Sequence, residues 1–193
     1  GTSLKVTGNH KWHVAIHTDK TGTPKFFEKV TMDLECGMRL FKYEMPVIEF
    51  TEEFPYAYHN GFFTGDGAGS SEKDHTPYIH LYGEKHKLAQ HLVCGAEAVE
   101  HSNNRLYVSL AKIREFIKPK FFVPEHYTVK SRLDWLAGLI DSDGTITKGS
   151  VQIGSVNKDF LLQIRKMLTT LGVQSKLNVM HEAGSRLLPD GQG

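Results

Sequence analysis

The sequence is poor in cysteine and contains no long apolar run. Its 193 residues include 2 cysteines, Cys36 and Cys94, which lie far apart and without CxxC spacing, so neither a disulfide framework nor a zinc knuckle is indicated. We expect both to be buried free thiols. No apolar stretch approaches the roughly 18 residues of a membrane span, and no basic segment followed by an apolar one opens the chain. We therefore predict a soluble intracellular protein, cytoplasmic, or nuclear if eukaryotic, that is not secreted and has no membrane partner.

Net charge is also nearly absent. The formal charge at pH 7 is +1, so affinity for nucleic acid would have to come from local patches. One such patch lies between residues 112 and 132, where basic residues are opposed only by Glu115 and Glu125: Lys112, Arg114, Lys118, Lys120, Lys130 and Arg132. A solvated basic face is an equally good interpretation of this stretch.

The rest of the composition is that of a folded protein, with 39% hydrophobic and 23% charged residues, enough for one large or two small domains. Residues 1–50 are rich in Val, Ile, Thr and Phe and contain the turn signals "TGN" and "DKTGTP", a pattern typical of short strands. From about residue 51 onward, helix and strand signals alternate. They predict a helix over 52–63, a strand at "PYIHLYG" and a helix over 84–101, with the domain boundary near Phe50.

A second series of elements follows the Pro-punctuated stretch "KPKFFVP". Ser131, with Asp134 three residues on, predicts the start of the helix that contains "LDWLAGLIDSDG". "GTITKGSVQIGSV" predicts a hairpin that turns near "KG", and "NKDFLLQIRKMLTTLG" has the apolar spacing of a helix that ends at Gly172. Residues 173–180 are predicted to form a further strand.

The chain contains an internal repeat. The stretch "YHNGFFTGDGAG" shares the frame of "LAGLIDSDG": Gly61 aligns with Gly138, Phe62 and Phe63 with Leu139 and Ile140, and residues 65–67 with residues 142–144. Strand and helix signals follow each copy in the same order. This repetition predicts two structurally similar halves.

The second copy resembles the signature of the LAGLIDADG homing endonucleases, which "LAGLIDSDG" matches at eight of nine positions. The first copy is degenerate, with Thr64 where the second has Asp141, but it keeps the glycine, the bulky apolar pair and the final Asp-Gly. The resemblance implies that the two helices pack side by side, with the small residues Gly61, Ala137 and Gly138 allowing close approach of their backbones.

The same resemblance implies an active site at the ends of the two helices. Asp66 and Asp143 occupy the metal-ligand position of the motif, and two nearby carboxylates are most simply held ionised by divalent cations. Bound Mg²⁺ would activate water for hydrolysis of phosphodiesters on both DNA strands. Asp141 is assigned to helix capping or to structure. Intein-borne members of the family carry a lysine just before a hydrophobic-Pro pair. Lys120 is the candidate here, with Lys118 as the fallback, and a second such lysine is expected beyond residue 193.

DNA recognition is expected in the strands that follow each helix. In "KGSVQIGS", the polar residues Lys148, Ser150 and Gln152 alternate with Val151 and Ile153, so one face of the ribbon is polar while the other packs on helices. A two-stranded ribbon fits the major groove, where Gln and Ser bond base edges and Lys contacts phosphate or guanine. An ordinary half-buried hairpin has the same alternation.

The N-terminal segment "LKVTGNHKWHVAI" is similar to the intein motif that contains Thr-x-x-His, represented here by Thr7, Asn9 and His10. In inteins the Thr and His polarise the peptide bond at the N-terminal splice junction. No nucleophilic Cys or Ser opens this chain and no His-Asn pair closes it. We therefore expect an internal fragment that splices only when the missing terminal segments are supplied.

Together these resemblances predict an α+β protein in which a β-rich part of an intein splicing (Hint) domain, over 1–50, precedes two pseudo-symmetric αββαββ halves. The halves are placed at 51–125 and 126–193, the second incomplete. The implied function is that of an intein-encoded, Mg²⁺-dependent homing endonuclease. It would make double-strand breaks at the intein-less site of its host gene, act as a monomer with pseudo-twofold symmetry, and have the host protein's exteins as further partners.

Two other classes of function compete with this prediction. One is binding without cleavage, by a decayed endonuclease or an RNA maturase on the same scaffold. Retention of both aspartates opposes decay, and the Thr-x-x-His block opposes a maturase. The other is an unrelated metal-dependent enzyme that uses some of the 11 histidines, but no HExxH motif is present.

Overall fold

The computed structural model describes residues 5–16, 25–41, 45–69, 76–94, 98–101 and 104–179. The chain divides into two compact units, Gly1–Met45 and Pro46–Gly193. Helices and strands occur together, as expected for an α+β protein. Within the described ranges, no helix has the length and apolar character needed to cross a membrane.

The first unit is built on antiparallel strands. Strands β1 (Lys11–Ile16), β2 (Lys25–Val30) and β3 (Arg39–Leu40) pair in the order β2-β1-β3, and a 3₁₀ turn, Thr31–Asp33, follows β2. The β-rich character predicted for this segment is thus confirmed over its described part. Val14 is the only fully buried hydrophobic side chain among the described residues of this unit.

The second unit begins with helix α1 (Ala57–Asp66), which leads directly into a sheet. Strands β4 (Gly67–Ala68), β5 (Tyr78–Tyr82), β6 (Val99–His101) and β7 (Arg105–Ser109) pair antiparallel in the order β4-β5-β7-β6. A 3₁₀ segment (Gly83–Leu88) and the short helix α2 (Ala89–Leu92) lie between β5 and β6, and a second 3₁₀ segment (Ala111–Phe116) follows β7.

A second helix and ribbon follow in the same order. Helix α3 (Val129–Asp143) leads into the hairpin of β8 (Gly144–Thr147) and β9 (Ser150–Ile153), and then comes helix α4 (Lys158–Thr170). The predicted hairpin and the predicted last helix are confirmed. Gly172, with φ +73°, ends α4 as expected, because a left-handed conformation favours glycine.

Several boundary predictions were wrong. The first helix begins at Ala57 and not at 52, because Tyr56 before it has the left-handed φ of 53°. The helix predicted over 84–101 is replaced by the 3₁₀ segment, α2 and β6, after a break at Gly83 with φ +52°. Residues 173–179 contain no strand, and residue 180 lies outside the described residues.

The start of α3 also differs from the prediction. Its N-cap is Thr128, whose side chain accepts a hydrogen bond from the Ser131 backbone N–H. Ser131 instead uses its hydroxyl to accept a hydrogen bond from the Phe54 N–H at 2.9 Å. The side chain predicted to cap the helix therefore fastens the segment before α1 to it.

Two hydrophobic clusters fill the second unit, and helix α1 contributes to both. Phe62 and Phe63 pack beneath the four-stranded sheet with Ile79 and Leu81 of β5. Ala57 packs with Trp135 and Leu139 of α3 and with residues of α4 in the other cluster. Helix α1 therefore joins the two clusters, through Ala57 at its start to the one and through Phe62 and Phe63 to the other.

Candidate active site

Helices α1 and α3 lie in backbone contact through two glycines at equivalent positions of the repeat. A Cβ at Gly61 would overlap the carbonyl oxygen of Trp135 and lie 3.0 Å from the Leu139 nitrogen. A Cβ at Gly138 would overlap the carbonyl oxygen of Tyr58 and lie 2.8 Å from the Phe62 nitrogen. Each glycine thus rests on the other helix, and only glycine fits at either position.

The predicted packing of small residues is therefore right for two positions and wrong for the third. Ala137 is exposed, whereas Gly138 and Leu139 are buried. Adjacent helix positions are about 100° apart around the axis, so a residue next to the contact stripe can turn to solvent.

Both predicted metal ligands lie where a helix ends and a strand begins. Asp66 is the last residue of α1 and Asp143 is the last residue of α3. The following glycines, Gly67 and Gly144, have nearly the same extended conformation, with φ/ψ of −72°/152° and −78°/153°. Because the two helices are in contact, the structure brings the two carboxylates to the same end of the pair.

The closeness of the two carboxylates shows in their surroundings. A Cβ at Gly65, the residue before Asp66, would lie 2.8 Å from Cγ of Asp143. The pKa of Asp143 is raised, first by partial removal of its carboxyl from water and then by the Asp66 carboxylate, while Lys85 and Lys120 act in the opposite direction. Two negative groups therefore share one site, and cations near them relieve the repulsion.

Two lysines reach this site, and the sequence predicted only one of them. Lys120 donates a hydrogen bond from Nζ to the Gly65 carbonyl at 3.1 Å. Lys85 pairs with the Asp66 carboxylate, and its Nζ also donates to the Ser142 carbonyl at 2.6 Å. The fallback residue, Lys118, makes its contact through its backbone, whose N–H donates a hydrogen bond to Asn60 Oδ1 at 2.8 Å. Lys85 belongs to no motif, and only the turn after β5 brings it here.

The oxygen atoms at this end of the helix pair suit a hard divalent cation. They comprise the carboxylates of Asp66 and Asp143 and the carbonyls of Gly65 and Ser142, which both accept from lysine. No cluster of three or more His, Cys, Asp or Glu side chains that could hold a metal occurs in the described part of the chain. Mg²⁺ is commonly bound by one or two carboxylates, with waters and substrate phosphates completing its shell, so the donors present fit that ion.

The aligned pair Thr64 and Asp141 has structural partners. Thr64 is buried and donates from Oγ1 to the Asn60 carbonyl at 2.9 Å. Asp141 accepts a hydrogen bond from the hydroxyl of Tyr58 at 2.8 Å, which joins α3 to α1. Burial and this carboxylate both raise the pKa of Tyr58, so the phenol stays protonated and remains a donor.

Asn60 holds the chain that carries Lys120, a role not evident from the sequence. Its side chain is 3% exposed and donates to the carbonyls of Tyr56 and Phe116 at 3.0 and 3.1 Å, in addition to accepting from the Lys118 backbone. These bonds fix the residues that follow the 3₁₀ segment Ala111–Phe116 against α1. Lys120, which follows these residues directly, is thereby placed beside Gly65.

The predicted DNA-reading residues of the second ribbon lie on or beside the turn of its hairpin. Lys148 has a left-handed φ of 50° in the turn, and Ser150 and Gln152 are exposed on β9. Val151, expected to pack on helices, is 53% exposed, while Ile153 is half-buried. Within the described part of the chain, the apolar face of the ribbon is therefore covered only at its base, around Ile153.

The four-stranded sheet β4-β5-β7-β6 carries an aromatic face that was not predicted from the sequence. Strand β5 buries Ile79 and Leu81, and the side chains that alternate with them point to the opposite face. Across the strand pair these outward residues form a connected group with ring centroids 4.9 to 6.3 Å apart: Tyr78, His80, Tyr82 and Tyr107. The strand alternation in "PYIHLYG" was the available signal.

The predicted basic patch is not a single surface. Arg132 is fully buried, where its guanidinium donates to the Thr170 hydroxyl at 2.6 Å and to the Ile48 carbonyl, 5.1 Å from the ring of Phe50. Lys130 pairs with Asp134 one turn along α3. Arg132 therefore fastens α3 to neighbouring segments and is not free basic charge for nucleic acid, whereas Lys130 stays on the surface and is partly neutralised by its own helix.

In the first unit, the Thr-x-x-His block forms a turn before β1. The His10 N–H donates to the Thr7 carbonyl at 3.1 Å, and the His10 ring packs edge-on against Trp12 at 4.8 Å. Thr7, Asn9 and His10 are all exposed. Their splicing role stays a prediction.

Part of the chain matches a known protein family. Residues 131–190 match the LAGLIDADG-like domain family, a segment that contains nearly all of α3 together with the hairpin and α4. This match supports an element of the homing endonuclease type, with nucleic-acid binding as its general function.

One relative aligns with the whole of this chain. The sequence is 31% identical over 208 residues to the protein named ribonucleoside-diphosphate reductase large subunit of Invertebrate iridescent virus 6. The alignment covers 100% of this chain and 21% of that protein. The chain therefore spans about a fifth of the length of this relative.

Proposed function

We propose that the chain is part of an intein-encoded, site-specific homing endonuclease that hydrolyses phosphodiesters on both strands of DNA. The observation that carries the proposal is the pair of helices in glycine contact, each ending in an aspartate at a helix-to-strand junction. The LAGLIDADG-like match over the second of these helices supports it.

In this proposal Asp66 and Asp143 hold Mg²⁺, which supplies charge stabilisation and an activated water when bound. Lys120, held by the Asn60 hydrogen bonds next to Gly65, places a positive charge where a DNA phosphate approaches. Tyr58 and Asp141 keep the two helices in register, so both carboxylates act on one substrate.

The DNA-binding surface would be made by two different ribbons of the second unit. The hairpin offers Lys148, Ser150 and Gln152 for hydrogen bonds to base edges and phosphate. The four-stranded sheet offers an aromatic face suited to apolar contact with thymine methyl groups, made of Tyr78, His80, Tyr82 and Tyr107. The protein would act as a monomer inside the cell, with the paired helices at its pseudo-twofold axis.

The relative supports an assignment of the host. A chain that aligns in full with a fifth of a polypeptide named as a ribonucleotide reductase large subunit is well explained as an intein inserted in that kind of protein. The exteins would then be the two parts of such a subunit. The target DNA would be its uninterrupted gene.

Cleavage is tested on a plasmid that carries the uninterrupted host gene, in the presence of Mg²⁺. We expect Asp66→Asn and Asp143→Asn each to abolish double-strand cleavage while DNA binding changes by less than about fivefold, because the protein keeps its ribbons. Asp134→Asn is the matched control, since Asp134 lies on the surface of the same helix and pairs with Lys130. Full cleavage by both site variants would remove the metal assignment, and binding without cleavage by the wild type would favour a binding-only remnant or a maturase.

The splicing part of the proposal has its own test. In a host protein that contains the complete intein, His10→Ala is expected to slow cleavage at the N-terminal junction by at least about tenfold, because His10 would polarise that peptide bond. His126→Ala is the control, an exposed histidine of the second unit. Equal rates of precursor loss on a gel for His10→Ala and the wild type would show that the block has another role.

A further inference from the structure

Lys85 makes a contact that the proposed mechanism does not use. It lies in the 3₁₀ segment Gly83–Leu88, which follows β5 directly. Its ammonium group pairs with Oδ2 of Asp66 at the end of α1 and donates to the Ser142 carbonyl, in the last turn of α3, at 2.6 Å. One cation thus connects the C-terminal ends of both helices.

This position attracts positive charge for two independent reasons. The C-terminal end of a helix carries partial negative charge on its unpaired carbonyls, and here two such ends meet. The carboxylates of Asp66 and Asp143 add full negative charges at the same place. The side chains of Lys85 and Asp66 are 35% and 23% exposed, so water screens their attraction less than that of a surface pair.

Lys120 does not fill the same role. Its side chain is exposed, and its bond goes to the Gly65 carbonyl, one residue before the carboxylate. Lys85 alone among the described lysines pairs with either of the two aspartates assigned to metal binding. It therefore occupies oxygen atoms that a divalent cation would also use.

We propose that Lys85 is a built-in counter-cation of the metal site. In the metal-free protein it holds Asp66 and the end of α3 in place, and it gives up the Asp66 oxygen when a divalent cation binds. Metal binding is then an exchange of one cation for another, and the affinity for metal reflects competition with Lys85. This inference rests on the proposed assignment of Asp66 and Asp143 as metal ligands.

The test compares Lys85→Met with the wild type and with Lys87→Met, using Mn²⁺ as the probe. Lys87 is the matched control, because it lies in the same segment, is 70% exposed and pairs with the surface residue Glu84. We expect Lys85→Met to bind Mn²⁺ at least about fivefold more tightly, the lower range of coupling between two sites. In EDTA it should unfold at a lower temperature than Lys87→Met, and saturating Mn²⁺ should remove that difference.

Two further variants keep the inference testable if Lys85→Met does not fold. Lys85→Gln retains a donor without the charge and should also bind Mn²⁺ more tightly, whereas Lys85→Arg retains the charge and should not. Unchanged or weaker Mn²⁺ binding in both neutral variants would overturn the inference.

Failure of this inference can be told apart from failure of the proposed function. If the wild type and Lys85→Met bind Mn²⁺ equally and Asp66→Asn does not bind it, the metal site stands and only the cation exchange is overturned. No Mn²⁺ binding by any variant would overturn both. Tighter binding by Lys85→Met in a protein that cleaves no DNA would support the exchange and count against the endonuclease.

Discussion

Each of the two cysteines has a different environment, and neither is the buried thiol that the sequence suggested. Cys36 is exposed, and Cys94 is half-buried with its Sγ 3.1 Å from Nε2 of His59. Burial raises the pKa of the Cys94 thiol. Burial also lowers the pKa of His59, against a smaller opposite effect of a hydrogen bond to the Leu92 backbone. The pair is therefore a neutral thiol and a neutral imidazole, not an activated thiolate.

The neutral pair predicts low reactivity at Cys94. At pH 7.5 we expect iodoacetamide to modify Cys36 at least about tenfold faster than Cys94, because the thiolate is the reacting form and Cys94 disfavours it. Mass spectrometry of partially labelled protein gives both rates in one sample. Faster labelling of Cys94 would mean that His59 activates the thiol, and His59→Gln would then slow it.

Among single residues, the motif indicated where Asp66 and Asp143 lie, at the ends of two packed helices, whereas it gave no sign of their neighbours. Asp66 and Asp143 were predicted because a repeated motif marks them. Lys85 and Asn60 were not, because their roles depend on partners 57 and 58 residues away along the chain, at Ser142 and Lys118. No local pattern encodes such contacts.

Among the elements, the contact between α1 and α3 depends most strongly on single residues. Gly61→Ala and Gly138→Ala should each destabilise the protein by more than about 3 kcal/mol, the upper part of the range for overpacked interiors, since the new methyl group meets backbone that cannot turn aside. Alanine favours a helix over glycine by about 1 kcal/mol, so propensity acts in the opposite direction. Denaturant unfolding followed by circular dichroism measures the change.

Gly154→Ala is the control for this pair. Gly154 is exposed, and a Cβ there would meet nothing within 4 Å, so its effect should stay within about 0.5 kcal/mol. Wild-type stability in Gly61→Ala would mean that the helices do not pack through these glycines.

The elements were predicted best where their pattern repeats. Helix α3, the hairpin and α4 followed from motif, turn and apolar spacing, whereas the first helix was predicted over 52–63 and runs over Ala57–Asp66. The helix predicted over 84–101 failed because the apolar residues of that stretch serve a 3₁₀ turn, a single helical turn and an edge strand in succession. Leu88 and Leu92 do pack against the core, but tertiary contacts decide the backbone around them.

For the whole molecule, the two units differ greatly in buried apolar content. Both hydrophobic clusters consist of residues beyond Pro46, whereas Val14 is the one buried hydrophobic residue among the described residues of the first unit. The boundary predicted near Phe50 stays a prediction. The structure divides the chain at Met45 and Pro46, and Ile48 and Phe50 belong with Arg132 in the second unit.

This difference predicts which part of the chain folds by itself. A chain of residues 46–193 should unfold cooperatively, with a Tm within about 5 °C of the 1–193 chain, because it retains both clusters. A chain of residues 1–45 should show no cooperative transition, since Val14 is the one fully buried hydrophobic side chain in the part of it that the structure describes. Calorimetry of the two fragments measures both, and a folded 1–45 fragment would contradict the assignment of stability to the second unit.

The glycine contact between the helices has a consequence for the origin of the pair. Gly61 rests on Trp135 and Leu139, while Gly138 rests on Tyr58 and Phe62, and these four residues are themselves equivalent in the repeat. The interface is therefore self-complementary, and one ancestral helix sequence would satisfy both of its sides. Two identical single-motif subunits would form the same contact in a homodimer, and two such copies joined in one chain would keep it as long as each retains its glycine.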